Sequence, residues 1–183
     1  GNAGINVTTN ASNQILISAT AVGGNYLEDV FVTGGVAQLG VILTIPEGAV
    51  SLTDNFAFDA KIIEVSFPST LTSTSSNSFA DNLLTEVDIN NVTSVGTQSV
   101  NYNRYLNNLN LRSVETIGQS AFSGTGKLGN GYDLVFPSTL TSIGSSAFSN
   151  SKINSVTFDA ANQVTNLQNA TFQTTKSFTS ITL

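Results

Sequence analysis

The chain has 183 residues, a net charge of −6, 40% apolar and only 10% charged side chains, and no Cys, His, Met or Trp. Its six cations, Lys61, Arg104, Arg112, Lys127, Lys152 and Lys176, are dispersed along the sequence, which argues against a nucleic-acid partner and against an anionic-membrane patch. Lack of Cys excludes disulfides and thiolate chemistry, lack of His excludes a His-based triad, and no run reaches the roughly 18 apolar residues of a membrane span.

Residues 1 to about 40 carry β-rich runs, Ile15–Ile17 and Val30–Val32, punctuated by Gly23-Gly24 and Gly34-Gly35. They predict a short N-terminal β cap, because an uncovered first coil would leave apolar core and strand edges open. From residue 41 onward the chain is periodic. Apolar-x-apolar triplets start at Leu43, Val65, Val87, Leu109, Leu134, Val156 and Ile181, with steps of 22, 22, 22, 25, 22 and 25 residues. Stacked coils explain such a period, since each must lay its strand beside the one before. An apolar residue three before most triplets (Ile62, Leu84, Leu106, Ile153, Phe178) completes apolar-x-x-apolar-x-apolar, the leucine-rich-repeat pattern. In the Leu134 coil Gly131 stands in that slot, and the surplus falls in GTGKLGNGYD, which predicts a protruding loop over Gly124–Asp133. Pro46, Pro68 and Pro137 each follow a triplet, where a residue without an N–H ends the strand.

An inner frame follows each triplet: apolar, apolar three on, a small residue four further, then an aromatic. Val114, Ile117, Ala121, Phe122 and Leu140, Ile143, Ala147, Phe148 fit it in full. Val164, Leu167, Thr171, Phe172; Val92, Val95, Ser99, Val100; Leu71, Thr74, Ser78, Phe79; and Val50, Thr53, Ala57, Phe58 fit with substitutions. Together these patterns predict one domain, an α/β solenoid. It is a right-handed coil with a parallel sheet of about seven short strands, short helical turns opposite, an N-terminal β cap over 1–40 and the repeats over 41–183. The Phe of each helical turn plugs the core. The glycines at 96, 118 and 144 mark turns needing positive φ or tight packing.

Leu134 to Phe148, LVFPSTLTSIGSSAF, repeats FPSTLTS from Phe67–Ser73. This stretch resembles the BspA-like leucine-rich repeats of bacterial surface proteins, with looser copies over roughly 41–183. The family often has Cys soon after the Ala-Phe pair, where this chain has Ser123, Ser149, Asn150 or Asp59. The resemblance implies an extracellular or cell-surface location and a part in adhesion, to host matrix proteins or to other bacteria.

Side chains flanking the buried strand residues should line the concave sheet: Glu64, Ser66, Glu86, Asp88, Asn108, Asn110, Asp133 and Val135, with Ser155 and Thr157 beyond. At a strand spacing of ~4.8 Å, Glu64, Glu86 and Asp88 would gather as an acidic cluster, open to a Ca²⁺, acid-pair or basic-ligand reading but also to that of a solvated face. An open sheet excludes no water, so no catalytic residue, metal or cofactor is assigned. The function expected is protein–protein interaction or adhesion through the concave sheet. A carbohydrate-binding module is the alternative, kept open by Tyr102, Tyr105 and Tyr132 in bends. Asn-x-Ser/Thr sequons at Asn6, Asn10, Asn91 and Asn169 carry weight only in a eukaryotic source. At the last strand, Ile181 and Leu183 are expected to face the core over Phe178, leaving an end open to self-association.

Overall fold

The computed structural model of the chain describes residues 5–9, 15–19, 41–165, 167–175 and 179–182. The strands are β1 (Ile5–Thr9), β2 (Ile15–Ala19), β3 (Val41–Thr44), β4 (Ile62–Ser66), β5 (Glu86–Asp88) and β6 (Ser94–Val95). They continue with β7 (Asn108–Asn110), β8 (Thr116–Ile117), β9 (Tyr132–Phe136), β10 (Ser142–Ile143), β11 (Ile153–Phe158) and β12 (Ser180–Thr182). The chain is a parallel β-solenoid, and every strand pair beyond the first is parallel. β1 and β2 pair antiparallel, and β2 then lies parallel on β3. Val30–Val32 and Phe178 fall outside the described residues, as do Leu183 and the side chain of Ile181.

Each coil has three sides. On the first, the apolar triplets become strands whose alternate side chains are buried, as at Val87, Leu109, Leu134 and Val156. The expected single seven-stranded sheet is corrected here. Hydrogen bonding divides this face into β1–β4, β5 with β7, and β9 with β11 and β12. β5 still lies against β4, and β7 against β9. The second side carries the ladder of β6, β8 and β10, where Val95, Ile117 and Ile143 turn inward.

The third side overturns the expected helical turns, since no helix occurs among the described residues. Asn77, Gln98, Ser120 and Ser146 have φ of 53, 53, 53 and 58°. Four residues on, Asp81, Tyr102 and Asn150 are also left-handed, at 57, 55 and 57°. A residue at positive φ ends a right-handed helix. The amides between serve the next coil instead. Phe79 N–H donates to Ser99 O at 2.7 Å, Val100 N–H to Ala121 O at 2.8 Å, and Phe122 N–H to Ala147 O at 2.8 Å. A helix would have kept these donors for its own i−4 carbonyls; here they tie coil to coil.

The core is a set of columns along the axis. Phe122 and Phe148 stack at 5.2 Å and 7°, Phe148 and Phe172 at 5.7 Å and 16°, and Phe136 packs edge-on to Phe148. In the first repeat the inner frame is one residue off. Ala57 N–H bonds to Ser78 O, as Phe79 N–H bonds to Ser99 O, so Ala57 takes the slot of Phe79, and Phe56, from the slot before it, fills the core in place of Phe58. Phe56 and Leu52 are buried, whereas Phe58 and Val50 are 49% and 57% exposed. The Phe56 ring meets Phe79 edge-on at 5.9 Å.

Between the second and third sides the coils approach so closely that a side chain would collide. A Cβ on Gly118 would lie 2.7 Å from Gly96 C and from Thr97 N, and one on Gly144 2.7 Å from Gly118 C. Tight packing, not positive φ, is therefore the cause of this glycine column.

A buried polar ladder closes the coil at the third corner. Asn82 Oδ1 accepts from Ile62 N–H at 2.9 Å while its Nδ2 donates to Ala57 O at 2.8 Å. Asn103 repeats this, accepting from Leu84 N–H and donating to Phe79 O and Val100 O at 2.8 Å. Thr125 and Ser151 occupy the same place in later coils, each within reach of Phe122 O. Buried backbone groups need such partners.

Candidate interaction surface

The strand face presents short polar side chains. Glu64, Ser66, Glu86, Asn108, Asp133 and Val135 are exposed, and Asp88 and Asn110 are half-buried. Register places Asn108 beside Glu86, Asn110 beside Asp88, and Ser155 beside Asp133. Two of these pairs are locked. Asn108 Nδ2 donates to Glu86 Oε1 at 2.8 Å, and Ser155 Oγ to Asp133 Oδ1 at 2.6 Å. Glu64 stands beside Ile42 on β3.

Glu64, Glu86 and Asp88 do not make a group that could hold a metal ion. β4 and β5 share no hydrogen-bonded ladder, and Glu86 is engaged with β7 on its far side. Among the described residues no three carboxylates gather where they could share a metal ion. Asp88 Oδ1 is shielded from solvent and accepts no hydrogen bond from the described residues.

Off the strand face, Glu47 Oε1 accepts from Ser69 N–H at 2.9 Å and Oε2 from Ser69 Oγ at 2.8 Å. These bonds to the charged form hold its carboxyl below the usual range. They clip one bend to the next and form no catalytic pair.

Tyr132 is not in a bend. It is buried in β9 opposite Ile153, so it fills the slot that sequence spacing gives to Gly131. The ladder shifts register between Ile153 and Ser155 to allow this. The Tyr132 hydroxyl lies 2.8 Å from Thr125 Oγ1, and burial pushes the phenol well above its usual range. The expected protruding loop shrinks accordingly. Gly124, Thr125, Gly126, Gly131 and Tyr132 are buried, and only the tip around Lys127, Leu128 and Asn130 is exposed.

That tip meets a corner the sequence reading did not single out. Leu128 N–H donates to Arg104 O at 2.8 Å, and Lys152 Nζ donates to Gly129 O at 2.8 Å. Arg104 lies over the Tyr102 ring, 5.6 Å from its centroid. Leu128 is 60% exposed, Tyr105 43% and Tyr102 39%. The signal was present: Arg104, Lys127 and Lys152 stand 23 and 25 residues apart, close to one coil each, so dispersal in sequence becomes convergence in space.

The fold and its surface define a leucine-rich-repeat solenoid with a polar strand face. The chain belongs to the BspA-type leucine-rich repeat family, whose model matches residues 41–132 and 102–183. Among solved structures it resembles the pneumococcal vaccine antigen PcpA, with 16% identity, a TM-score of 0.62, and 88% of this chain and 49% of that one covered. It also resembles the T. pallidum leucine-rich repeat protein TpLRR, with 14% identity, a TM-score of 0.51, and 97% and 78% covered. These likenesses concern the fold. The chain spans about half the length of the pneumococcal antigen. No curated protein matches it. No described helix is long and apolar enough to cross a membrane.

Proposed function

We propose that this chain is a non-catalytic interaction module of a bacterial surface or secreted protein, acting in adhesion to a host matrix protein or to another bacterial surface protein. The observation that carries this reading is the strand face itself. Most of its side chains are exposed and polar, and two pairs are fixed by cross-coil hydrogen bonds (Asn108 to Glu86, Ser155 to Asp133). A surface already ordered loses little side-chain entropy on binding. The role of a fold relative as a pneumococcal vaccine antigen supports surface exposure. Under this reading Glu64, Ser66, Glu86, Asp88, Asn108, Asn110, Asp133 and Val135 make the contact, and residues 1–40 cap the first coil. The pairing of β2 onto β3 supports that cap.

Carbohydrate binding is the second reading, kept by the exposed ring of Tyr105. The two are separated by presenting the chain to an array of matrix and bacterial surface proteins beside a glycan array. Protein capture lost in a Glu86→Lys, Asp133→Lys variant supports the first reading; glycan capture without protein capture replaces it with the second.

A further inference from the structure

We propose that the corner built from Tyr102, Arg104, Tyr105, Lys127, Leu128 and Lys152 docks an acidic peptide segment of a protein partner. This deepens the interaction reading above and rests on it, but assigns a different surface from the strand face.

Charge is the first argument. The chain has twelve acidic and six basic residues, yet half of the basic ones meet at this corner. Lys127 sits between Gly126, whose N–H bonds Asn103 O, and Leu128, whose N–H bonds Arg104 O. Lys152 reaches the same loop through Gly129 O. Among the described residues the one ion pair joins Lys61 and Asp59, so no described carboxylate forms an ion pair with Arg104, Lys127 or Lys152. Asp133, just beyond the loop, is already bound by Ser155. In an acidic protein an unneutralised cationic corner focuses a local field that attracts carboxylates.

Shape and polarity choose peptide over glycan. A stacked sugar needs an open aromatic face. The Tyr102 ring has Arg104 over one face, and the Gly124 backbone approaches so closely that a Cβ there would lie 2.7 Å from Tyr102 Cδ1. Leu128 and Tyr105 offer apolar area beside the cations, which suits apolar side chains alternating with carboxylates. Arg and Tyr side by side are also the residue types that dominate protein interfaces. The loop that presents Leu128 is held from beneath. Its N–H and that of Gly126 are both bonded to the preceding coil, so little order is lost on docking.

The test is fluorescence anisotropy of the full chain against a labelled peptide alternating Glu with Leu, at low and at physiological salt. Binding should weaken with salt. It should fall roughly tenfold or more in Arg104→Ala, Lys127→Ala, whose side chains are exposed and whose loss leaves the fold intact. Leu128→Ser should weaken it as well. Lys61→Ala, Arg112→Ala removes the same charge elsewhere and should leave affinity within about twofold. Equal losses in the two double variants, no binding at low salt, or tighter binding of a uronic-acid oligosaccharide of equal charge each overturn the proposal. A protein partner captured on the array whose binding ignores the Arg104, Lys127 double variant overturns this corner and leaves the interaction reading standing. No capture of any protein removes the interaction reading itself, while the peptide titration still reports separately on the corner.

Discussion

Asn103 shows what one buried amide does in this fold. It accepts from Leu84 N–H and donates to Phe79 O and Val100 O, so it joins two successive coils at a corner that water does not reach. Asn103→Ala strands three backbone groups, at about 1–3 kcal/mol for an unsatisfied group. Relaxation of the corner offsets part of that, and the expected loss is roughly 3 kcal/mol, read as a lower midpoint in chemical denaturation. Tyr132 is likewise buried, in β9, with its hydroxyl on Thr125, the residue that holds the Asn103 slot one coil on. Burial raises its phenol pKa, so above about pH 10, the usual tyrosine value, the unfolded chain releases a proton that the folded chain keeps. Its contribution is full below that pH and is lost as pH rises toward the folded value. Stability should therefore decline on the alkaline side, and Tyr132→Phe should flatten that decline in a denaturation series across pH. Little of this was legible at the residue scale. Asn82, Asn103, Thr125 and Ser151 hold one structural slot with three residue types and spacings of 21, 22 and 26, so no repeated letter marks it. Tyr132 was hidden because a strand irregularity moved the slot by one residue.

At the scale of the element, the period and the buried columns could be read directly, because burial on a repeating coil leaves apolar residues at fixed offsets. Ile62, Leu84, Leu106, Val114, Leu140, Phe122 and Phe148 are all buried where the frame places them. The backbone conformation of the third side could not be read. A piece such as Gly-Gln-Ser-Ala-Phe suits a helical turn by composition. What decides against the helix is where the amides are needed, and the demand comes from the neighbouring coil. Ser120 and Gln98 adopt positive φ at some local cost, recovered in bonds such as Phe122 N–H to Ala147 O. The strand-face carboxylates illustrate the same limit. Glu64 and Glu86 look like neighbours in the sequence frame, but pairing of Glu86 with Asn108 and the missing ladder between β4 and β5 separate their roles. The glycine column gives this scale its test. Gly118→Ala forces a methyl into Gly96 and Thr97 backbone, which cannot rotate away. Overpacking of this kind costs typically 1–3 kcal/mol, and backbone contacts place the expected loss at the upper end. Thermal melts of Gly118→Ala beside an exposed control, Ser142→Ala, measure it.

For the whole molecule, contacts between the described strands run from each coil to its neighbours, so stability should behave as a chain of interfaces. The strand face is interrupted between β4 and β5 and between β7 and β9, but the other sides carry bonds across both gaps. Across the first, Phe79 N–H reaches Ser99 O and Thr74 N–H reaches Ser94 O; across the second, Phe122 N–H reaches Ala147 O and Gly144 N–H reaches Ile117 O. The interruptions therefore do not divide the solenoid, and damage should spread by adjacency. Phe122 is the place to test this. It stacks on Phe148 in the following coil, while the preceding coil offers the smaller Val100 at the equivalent position. Phe122→Ala opens a cavity worth roughly 3–5 kcal/mol. If interfaces are the unit, native-state hydrogen exchange should accelerate by a hundredfold or more, on the order of 10², at Val100, Phe122 and Phe148. The amides of Leu71, two coils away, and of Ala57, three coils away, should change far less. A uniform acceleration across all coils would show instead that the solenoid opens as one cooperative unit.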